Sequence, residues 1–273
     1  VATSNDKAVE GLGTGCMGDS TVCISLGTYT SAMMEGKENL KGTSYAWPKF
    51  SCMPNKYLYD SNGIRRGMWT VSWYRDILGE GYAKLAEEKG MSPEEALGLE
   101  AEKVSVGSDG LMTVLNWLAN VDARYQKGIM IGFDGRHTRG HIYRSILEAV
   151  AMTMKGHVSD MCNEVGTTIE KLIITGGGSN SDLFMQIFAD VFNIPVVRNE
   201  VNGAAGLGSA ICAAVAANVY DSFESAVEHM VRIKDTFTPI AENAEIYSKM
   251  IPVYSEITKY TDPILKKSYE IFD

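Results

Sequence analysis

Short hydrophobic runs alternate along this chain with longer amphipathic stretches. Thr21–Leu26, residues 172–174 and residues 195–198 are largely apolar and rich in β-branched side chains, a pattern typical of strands covered on both faces. Between such runs, apolar residues recur three or four positions apart, which predicts helices with one buried face. The alternation of the two patterns predicts the α/β class, with helices packed on a sheet.

The same patterns predict the positions of the remaining elements. Helices are predicted at residues 67–78, 81–89, 141–157, 183–190, 203–217, 222–233 and 241–270. Further strands are predicted at residues 31–34, 111–118 and 128–133, and within residues 50–59. Ser92 followed by Pro93 is a helix start signal, because serine caps a helix and proline suits its first position.

A glycine turn joins the first two predicted strands. Gly27 and Thr28 follow Thr21–Leu26, and a return strand at 31–34 completes a hairpin. The backbone amides and the hydroxyl of such a turn can bind a phosphate. Most such turns only connect strands, so this turn alone is a weak signal.

A strand, a glycine turn and a helix follow one another in residues 172–190. Three glycines at 176–178 remove every Cβ from the turn, which lets a bulky ligand approach the main chain. Ser179, Asn180 and Ser181 are candidate caps of the following helix. Free amides at a helix start bind anions, so one interpretation is a nucleotide phosphate site. The other is a tight structural turn, and the residue pattern alone does not separate the two.

Composition limits the classes of function. The net charge is −9 and the isoelectric point is near 5.1, so we do not expect a nucleic acid as partner. No apolar run reaches the roughly 18 residues of a membrane-spanning helix, and no signal peptide is visible. The five cysteines are scattered without metal-ligand spacing, which predicts reduced, mostly buried thiols in a cytoplasmic protein.

Charged and metal-ligating side chains cluster in residues 134–144. His137 and His141 are four residues apart, but no third ligand has suitable spacing, so capping and packing roles are favoured over a metal site. Arg136, Arg139 and Arg144 are predicted to mark a solvated face or a contact between domains.

The order of these motifs resembles the C-terminal domain of the FGGY carbohydrate kinases, in the actin-like ATPase superfamily with its ribonuclease H-like fold. The most specific match is residues 128–133, followed seven residues later by residues 141–148, which resembles the second FGGY signature. Residues 26–28 resemble the second phosphate loop of the family, residues 176–182 its adenosine loop, and residues 205–210 the alanine-rich helix that follows.

The resemblance also implies a role for residues at the start of the chain. The family carries a catalytic aspartate with glycines seven and nine residues later, and Asp6, Gly13 and Gly15 have that spacing. Asp6 therefore resembles the catalytic base, since a carboxylate can orient a hydroxyl and accept its proton. Ser4 and Asn5 stand where the family usually has two glycines.

The resemblance implies a mixed sheet flanked by helices and the use of ATP with Mg²⁺. It implies these nucleotide-binding residues: Gly27, Thr28, Gly67, Gly177, Gly178 and Asp182. The metal-binding carboxylate, the first phosphate loop and most sugar contacts of the family belong to its N-terminal domain, and nothing like them occurs here. Since the chain begins with Val1 rather than methionine, we expect a piece of a longer protein.

We therefore interpret residues 1–273 as the C-terminal ATP-binding domain of a sugar kinase that transfers the γ-phosphoryl group of ATP to a sugar or polyol hydroxyl. Xylulose and related pentuloses are the first expectation for the substrate. The expected partners are the sugar and the N-terminal domain of the same protein, with a homodimer as one possible state. The chain alone is expected to be inactive, because half of the cleft is absent.

Two other functions remain open from the residues. A nucleotide-dependent dehydrogenase could use the triple glycine as its phosphate turn, although the first βαβ unit of that fold is missing. A non-catalytic actin-like protein, such as a sensor or a filament subunit, is the second alternative.

Overall fold

The computed structural model describes residues 4–272. Val1 to Thr3 and the final Asp273 lie outside this range. The strands of the described part are Thr21–Leu26 (β1), Thr30–Gly36 (β2), Ala46–Phe50 (β3), Tyr57–Ser61 (β4), Met112–Val114 (β5), Ile129–Ile131 (β6), Lys171–Thr175 (β7), Val196–Asn199 (β8) and Ile233–Phe237 (β9).

The α-helices of the described range follow one another along the chain. They are Asp6–Thr14 (α1), Gly67–Ile77 (α2), Gly79–Glu87 (α3), Pro93–Ala101 (α4), Arg139–Val165 (α5), Asp182–Phe192 (α6), Ala204–Ala216 (α7), Phe223–Met230 (α8) and Ala241–Phe272 (α9).

Seven strands form one mixed sheet in the order β3-β4-β2-β1-β7-β8-β9. β1 pairs antiparallel with β2, which confirms the predicted hairpin, and parallel with β7. β7 continues parallel to β8, whereas β9 is antiparallel. The carboxyl ends of β1, β7 and β8 therefore lie at one edge of the sheet, the position at which open α/β sheets bind ligands. β5 and β6 form a separate two-stranded ladder.

Helices cover both faces of the sheet, which explains the unbroken apolar runs. Ile24 of β1 and Ile174 of β7 belong to the large core formed with α5 and α6. Their neighbours Cys23 and Ile173 point to the opposite face and pack with Ala8 of α1 in a second core. The alternation of side chains along a strand separates the two cores.

The small residues of α1 and α7 let the two helices cross in close contact. A Cβ on Gly13 would overlap the carbonyl oxygen of Ala204, and a Cβ on Gly208 would overlap that of Val9. Gly15 ends α1 in the left-handed conformation, with φ 72°. The helix predicted at 203–217 is confirmed. Gly13 is required by the close crossing, and Gly15 by the left-handed end of α1.

Two local elements differ from the prediction. The helix predicted at 222–233 ends at Met230, and β9 follows, because an exposed edge strand lacks a strong apolar pattern. Ala46–Phe50, which lies almost entirely outside the predicted elements, is an edge strand that tolerates Pro48. The helical prediction at 241–270 is confirmed, and the helix is continuous although it contains Pro252 and Pro263. Both prolines are exposed, where water can satisfy the carbonyl groups that they leave free.

Candidate active site at the carboxyl edge of the sheet

Three backbone segments meet around Leu26, the last residue of β1. The first of them follows β7, where Gly176 has φ 88° and a Cβ on it would lie 2.6 Å from the Leu26 carbonyl oxygen. A Cβ on Gly178 would lie 2.8 Å from Cδ1 of Leu26. Both glycines are therefore required for the turn to pass so close to β1.

The start of α2 is the second segment, and the turn after β1 is the third. A Cβ on Gly67 would overlap the Thr30 side chain, and the next amide, of Met68, donates to the Gly27 carbonyl oxygen at 3.2 Å. The structure thus brings Gly27, Gly67 and Gly178 together, although they are far apart in sequence. The Thr28 side chain, next to Gly27, is exposed.

Gly177 differs from its two glycine neighbours. It is exposed, and nothing lies within 4 Å of an added Cβ. It begins a 3₁₀ turn over Gly177–Asn180, and the first amides of such a turn have no acceptor inside it. Ser181 then caps α6, as predicted, by accepting a hydrogen bond from the Phe184 amide at 3.3 Å. This turn can present backbone N–H groups to an anion at the sheet edge.

Arg198 holds the glycine turn from the neighbouring strand β8. Its guanidinium donates to the Ser179 carbonyl oxygen at 2.8 Å, lies 2.9 Å from the Asp182 carboxylate, and pairs with Asp235. Although burial opposes its charge, Asp235 and Asp182 raise the pKa of Arg198. Asp182, predicted to line the adenosine, is therefore ion-paired while its side chain stays 73% exposed.

Asn202 supports the same turn from the loop after β8. Its side-chain oxygen accepts hydrogen bonds from the Gly176 amide at 3.1 Å and from the Ser179 hydroxyl at 3.3 Å. Its amide group donates to the Asn180 side chain at 3.2 Å. Arg198 and Asn202 were missed by the sequence analysis, since their residue types carry no signal at those positions.

Asp6 occupies the first position of α1 and is exposed. Asn5 caps the helix by accepting from the Ala8 amide at 2.9 Å, so the residue that replaces a family glycine has a defined role. The Asp6 carboxylate accepts from the Lys7 amide at 2.9 Å. A carboxylate in the first turn also interacts favourably with the helix dipole. None of the hydrogen bonds found within residues 4–272 joins Asp6 to the glycine turns.

The region that resembles the second FGGY signature has a structural role. Glu148 is fully buried and accepts hydrogen bonds from the Gly107 amide, the Ser108 hydroxyl, the Arg144 guanidinium and the Tyr247 hydroxyl, at 2.8–2.9 Å. Burial and the neighbouring Glu148 carboxylate raise the pKa of Tyr247. The prediction that Arg144 marks a solvated face was wrong, because its guanidinium neutralises Glu148 inside the core.

The histidines of this region act as predicted. His141 takes part in a capping box with Thr138 at the start of α5, and its other ring nitrogen lies 3.2 Å from the Asp109 carboxylate. His137 accepts from the Asp134 amide at 2.8 Å. These contacts bear out the capping and packing roles.

Residues 4–272 lack two kinds of feature. They contain no group of three or more His, Cys, Asp or Glu side chains arranged to hold a metal ion. No helix in the described part of the chain is both long and apolar enough to cross a membrane.

Comparison with known proteins gives a consistent result. Residues 22–217 match the model of the FGGY family of carbohydrate kinases, C-terminal domain. The uncharacterized sugar kinase YgcE of Escherichia coli (strain K12) is 52% identical over 272 residues, which cover 99% of this chain and 55% of that protein.

Solved structures share the fold. Xylulose kinase from Rhodospirillum rubrum superposes with a TM-score of 0.83 at 23% identity, covering 96% of this chain and 51% of that one. Plasmodium falciparum glycerol kinase, solved with ADP, gives a TM-score of 0.73 at 19% identity, covering 92% of this chain and 49% of that one. This chain thus spans about half the length of the proteins it matches.

The fold is that of the actin-like ATPases, which confirms the predicted class, and its mixed sheet differs from the parallel sheet of a nucleotide-dependent dehydrogenase. Because the family match covers most of the sequence and the relative is similar along nearly all of it, the chain belongs to the FGGY family of carbohydrate kinases.

Proposed function

We propose that this chain is the C-terminal, ATP-binding domain of a sugar kinase and that its partner is the N-terminal domain of the same protein. The observation that carries the proposal is the approach of the Gly176–Gly178 and Gly67 segments to Leu26 and Gly27 at the carboxyl ends of parallel strands. Glycines there leave space at the main chain for a polyphosphate, and backbone amides suit its charge.

The nucleotide would lie across Gly27, Thr28, Gly67, Gly177 and Gly178. The exposed Gly177 and the first amides of the 3₁₀ turn fit a phosphate group, and the exposed Thr28 hydroxyl can donate to another. Asp182 is placed by Arg198 at the start of α6 and would line the adenosine side. Bound ATP supplies the phosphoryl group that is transferred.

Asp6 would act as the general base. Its exposed carboxylate at the start of α1 would accept the proton of the sugar hydroxyl as that hydroxyl attacks the γ-phosphorus. Mg²⁺ would be held with the phosphates by the N-terminal domain, since the described residues provide no cluster of metal ligands.

The substrate class follows from the family, and the specific sugar is a proposal. We propose a pentulose such as xylulose first, because the protein from Rhodospirillum rubrum that shares the fold is a xylulose kinase. We also propose the cytoplasm as its location, which the five free cysteine thiols support. A homodimer stays a prediction, to be measured by sedimentation of the full-length protein.

A panel of ketoses, aldoses and polyols assayed with ATP on the full-length protein tests the function. We expect one or a few sugars to be phosphorylated. ATP binding without turnover on any sugar would favour the alternative of a non-catalytic actin-like protein.

The 273-residue chain assayed on the same panel is expected to show no sugar phosphorylation. Without the other half of the cleft, neither the sugar nor the metal would be positioned for transfer. Turnover by this chain alone would contradict the proposed division of the site between two domains.

A Gly177→Val substitution is expected to weaken ATP binding at least about tenfold, an increase in Kd that corresponds to 1.4 kcal/mol. A Cβ added at this position has no protein atom within 4 Å, so we expect the side chain to obstruct the ligand without disturbing the fold. Isothermal calorimetry gives the affinity, and the thermal midpoint reports on folding.

Gly81→Val is the matched control, because Gly81 is also exposed with open space around it but lies on α3, outside the proposed site. Unchanged ATP affinity in Gly177→Val would remove the glycine turn from the nucleotide site.

A further inference from the structure

A chain of three polar side chains joins the first turn of α1 to the end of β1. The Ser25 hydroxyl donates to Glu10 Oε1 at 2.7 Å, and Glu10 Oε2 lies 3.6 Å from the Lys7 ammonium nitrogen. The Lys7 and Glu10 side chains are only 19% and 17% exposed. Partial burial strengthens such charge-assisted contacts relative to the same contacts at a fully solvated surface.

Lys7, at one end of this series of contacts, directly follows Asp6 and donates a backbone hydrogen bond to its carboxylate. Glu10 lies four residues after Asp6, so the two carboxylates project from the same face of the helix. Lys7 lies between them: its backbone N–H donates to Asp6 Oδ1 at 2.9 Å, and its ammonium group faces Glu10. The orientation of Asp6 is thus linked to that of Glu10 within a single helical turn.

The other end is fixed in the middle of the sheet. Ser25 is in register with Ser31 of β2 and with Thr175 of β7, so strands hold it on both sides. Ser25 directly precedes Leu26, around which the glycine turns assemble, and Thr175 directly precedes Gly176. A group hydrogen-bonded to Ser25 is therefore held by β1, the strand that leads into the proposed phosphate site.

We propose that Glu10 is a positioning residue that fixes the position of the Asp6 carboxylate relative to the Gly27-Thr28 turn. Its partners in this role are Ser25 and Lys7. This inference rests on the proposed function of Asp6 as the base. Glu10 acts through Asp6 and does not itself touch substrate, so its effect falls on kcat more than on the KM for ATP.

The attachment of α1 as a whole does not depend on this chain of contacts. Its middle and second half cross α7 in contact, with Gly13 on Ala204 and Gly208 on Val9. Ala8 is also buried against the sheet, so only Asp6 and Lys7 precede these contacts. Loss of Glu10 should therefore release Asp6 and Lys7 and leave the rest of the helix in place.

In the full-length protein, Glu10→Ala is expected to lower kcat about 10- to 100-fold, since small misplacements of catalytic groups have effects of that order. The KM for ATP should stay within about twofold. Glu10→Gln should retain more activity than Glu10→Ala, because its amide oxygen can still accept from Ser25. Ser25→Ala should lower kcat as well. The kcat of the double variant Glu10→Ala/Ser25→Ala should be no lower than that of the more impaired single variant, because the two residues act through the same contact.

Glu245→Ala is the matched control. Glu245 pairs with Lys249 at 2.7 Å on the exposed surface of α9, so its loss also removes a helical glutamate–lysine pair. We expect wild-type kcat from this variant.

Amide hydrogen exchange provides a readout that does not depend on turnover. In Glu10→Ala, exchange within residues 6–10 should rise at least about tenfold while exchange within residues 11–14 stays unchanged. Two results would overturn the positioning role. One is unchanged exchange in Glu10→Ala. The other is a wild-type kcat for Glu10→Ala when Asp6→Asn inactivates the same full-length protein. A parent protein that phosphorylates no sugar would contradict the proposed function itself, and with it any effect of Glu10 on catalysis.

Discussion

Asp6→Asn in the full-length protein is expected to lower kcat by about 10²–10⁴-fold, the usual contribution of a general base. Asparagine keeps the size of the side chain and can still accept the hydrogen bond from the Lys7 amide. It cannot take the proton of the sugar hydroxyl. ATP affinity should stay within about twofold, because Asp6 lies outside the three glycine segments that would hold the nucleotide. Steady-state kinetics and calorimetry measure the two effects separately.

Two further variants make this result specific. Asp6→Ala should abolish turnover as well, which shows that the loss does not come from the asparagine side chain. Asp221→Asn changes an exposed aspartate before α8 in the same way and should leave kcat unchanged. Near-normal turnover in Asp6→Asn and Asp6→Ala would remove Asp6 from the mechanism.

Glu148→Ala is expected to lower the free energy of unfolding by about 3–5 kcal/mol, the range measured when one partner of a buried ion pair is removed. The substitution leaves the Arg144 guanidinium charged inside the core, only 6% exposed. It also removes the acceptor of the Gly107 amide and of two hydroxyl groups. Since this is a large fraction of the stability of a typical domain, poor expression is part of the expected result.

Companion variants keep this prediction testable if Glu148→Ala does not fold. The double variant Glu148→Leu/Arg144→Met replaces both charges and should be more stable than Glu148→Ala, because no unpaired charge remains in the core. Urea denaturation of the full-length protein compares them. A Glu148→Ala protein as stable as the wild type would show that the four hydrogen bonds to Glu148 do not stabilise the fold.

The second signature shows how recognition from sequence differs from explanation by structure. Residues 128–148 gave the most specific of the matches that indicated the family. Their physical role became clear only when Glu148 was found to accept from Gly107 and Ser108, about 40 positions earlier in the chain. Four consecutive residues there, 107–110, have positive φ values, and two of them, Ser108 and Asp109, are not glycine. A loop of that shape requires an acceptor in the core, and no local pattern predicts which residue provides it.

The predicted site shows the same division. The glycines at 27, 67, 177 and 178 were predicted from motifs, and three segments of the chain do meet at Leu26. Arg198 and Asn202, which hold the glycine turn, and Glu10, which bonds Ser25 of β1, were not predicted. Each has an ordinary residue type and contacts a segment at least 15 positions away, so only folding brings the pair together.

By itself, the sequence determined the class of the fold, the family and the glycines of the candidate site. The fold class could be predicted because strand and helix periodicity are local. The family and the candidate glycines were predicted from the resemblance of several motifs to those of the FGGY kinases. The tertiary structure decided which residues are buried and paired. Arg144 lies in the core because the Glu148 carboxylate neutralises its charge there. The start of α1 is linked to β1 because the Ser25 hydroxyl donates a hydrogen bond to Glu10. Burial and pairing depend on groups that are distant in sequence, and these are properties that only the folded chain defines.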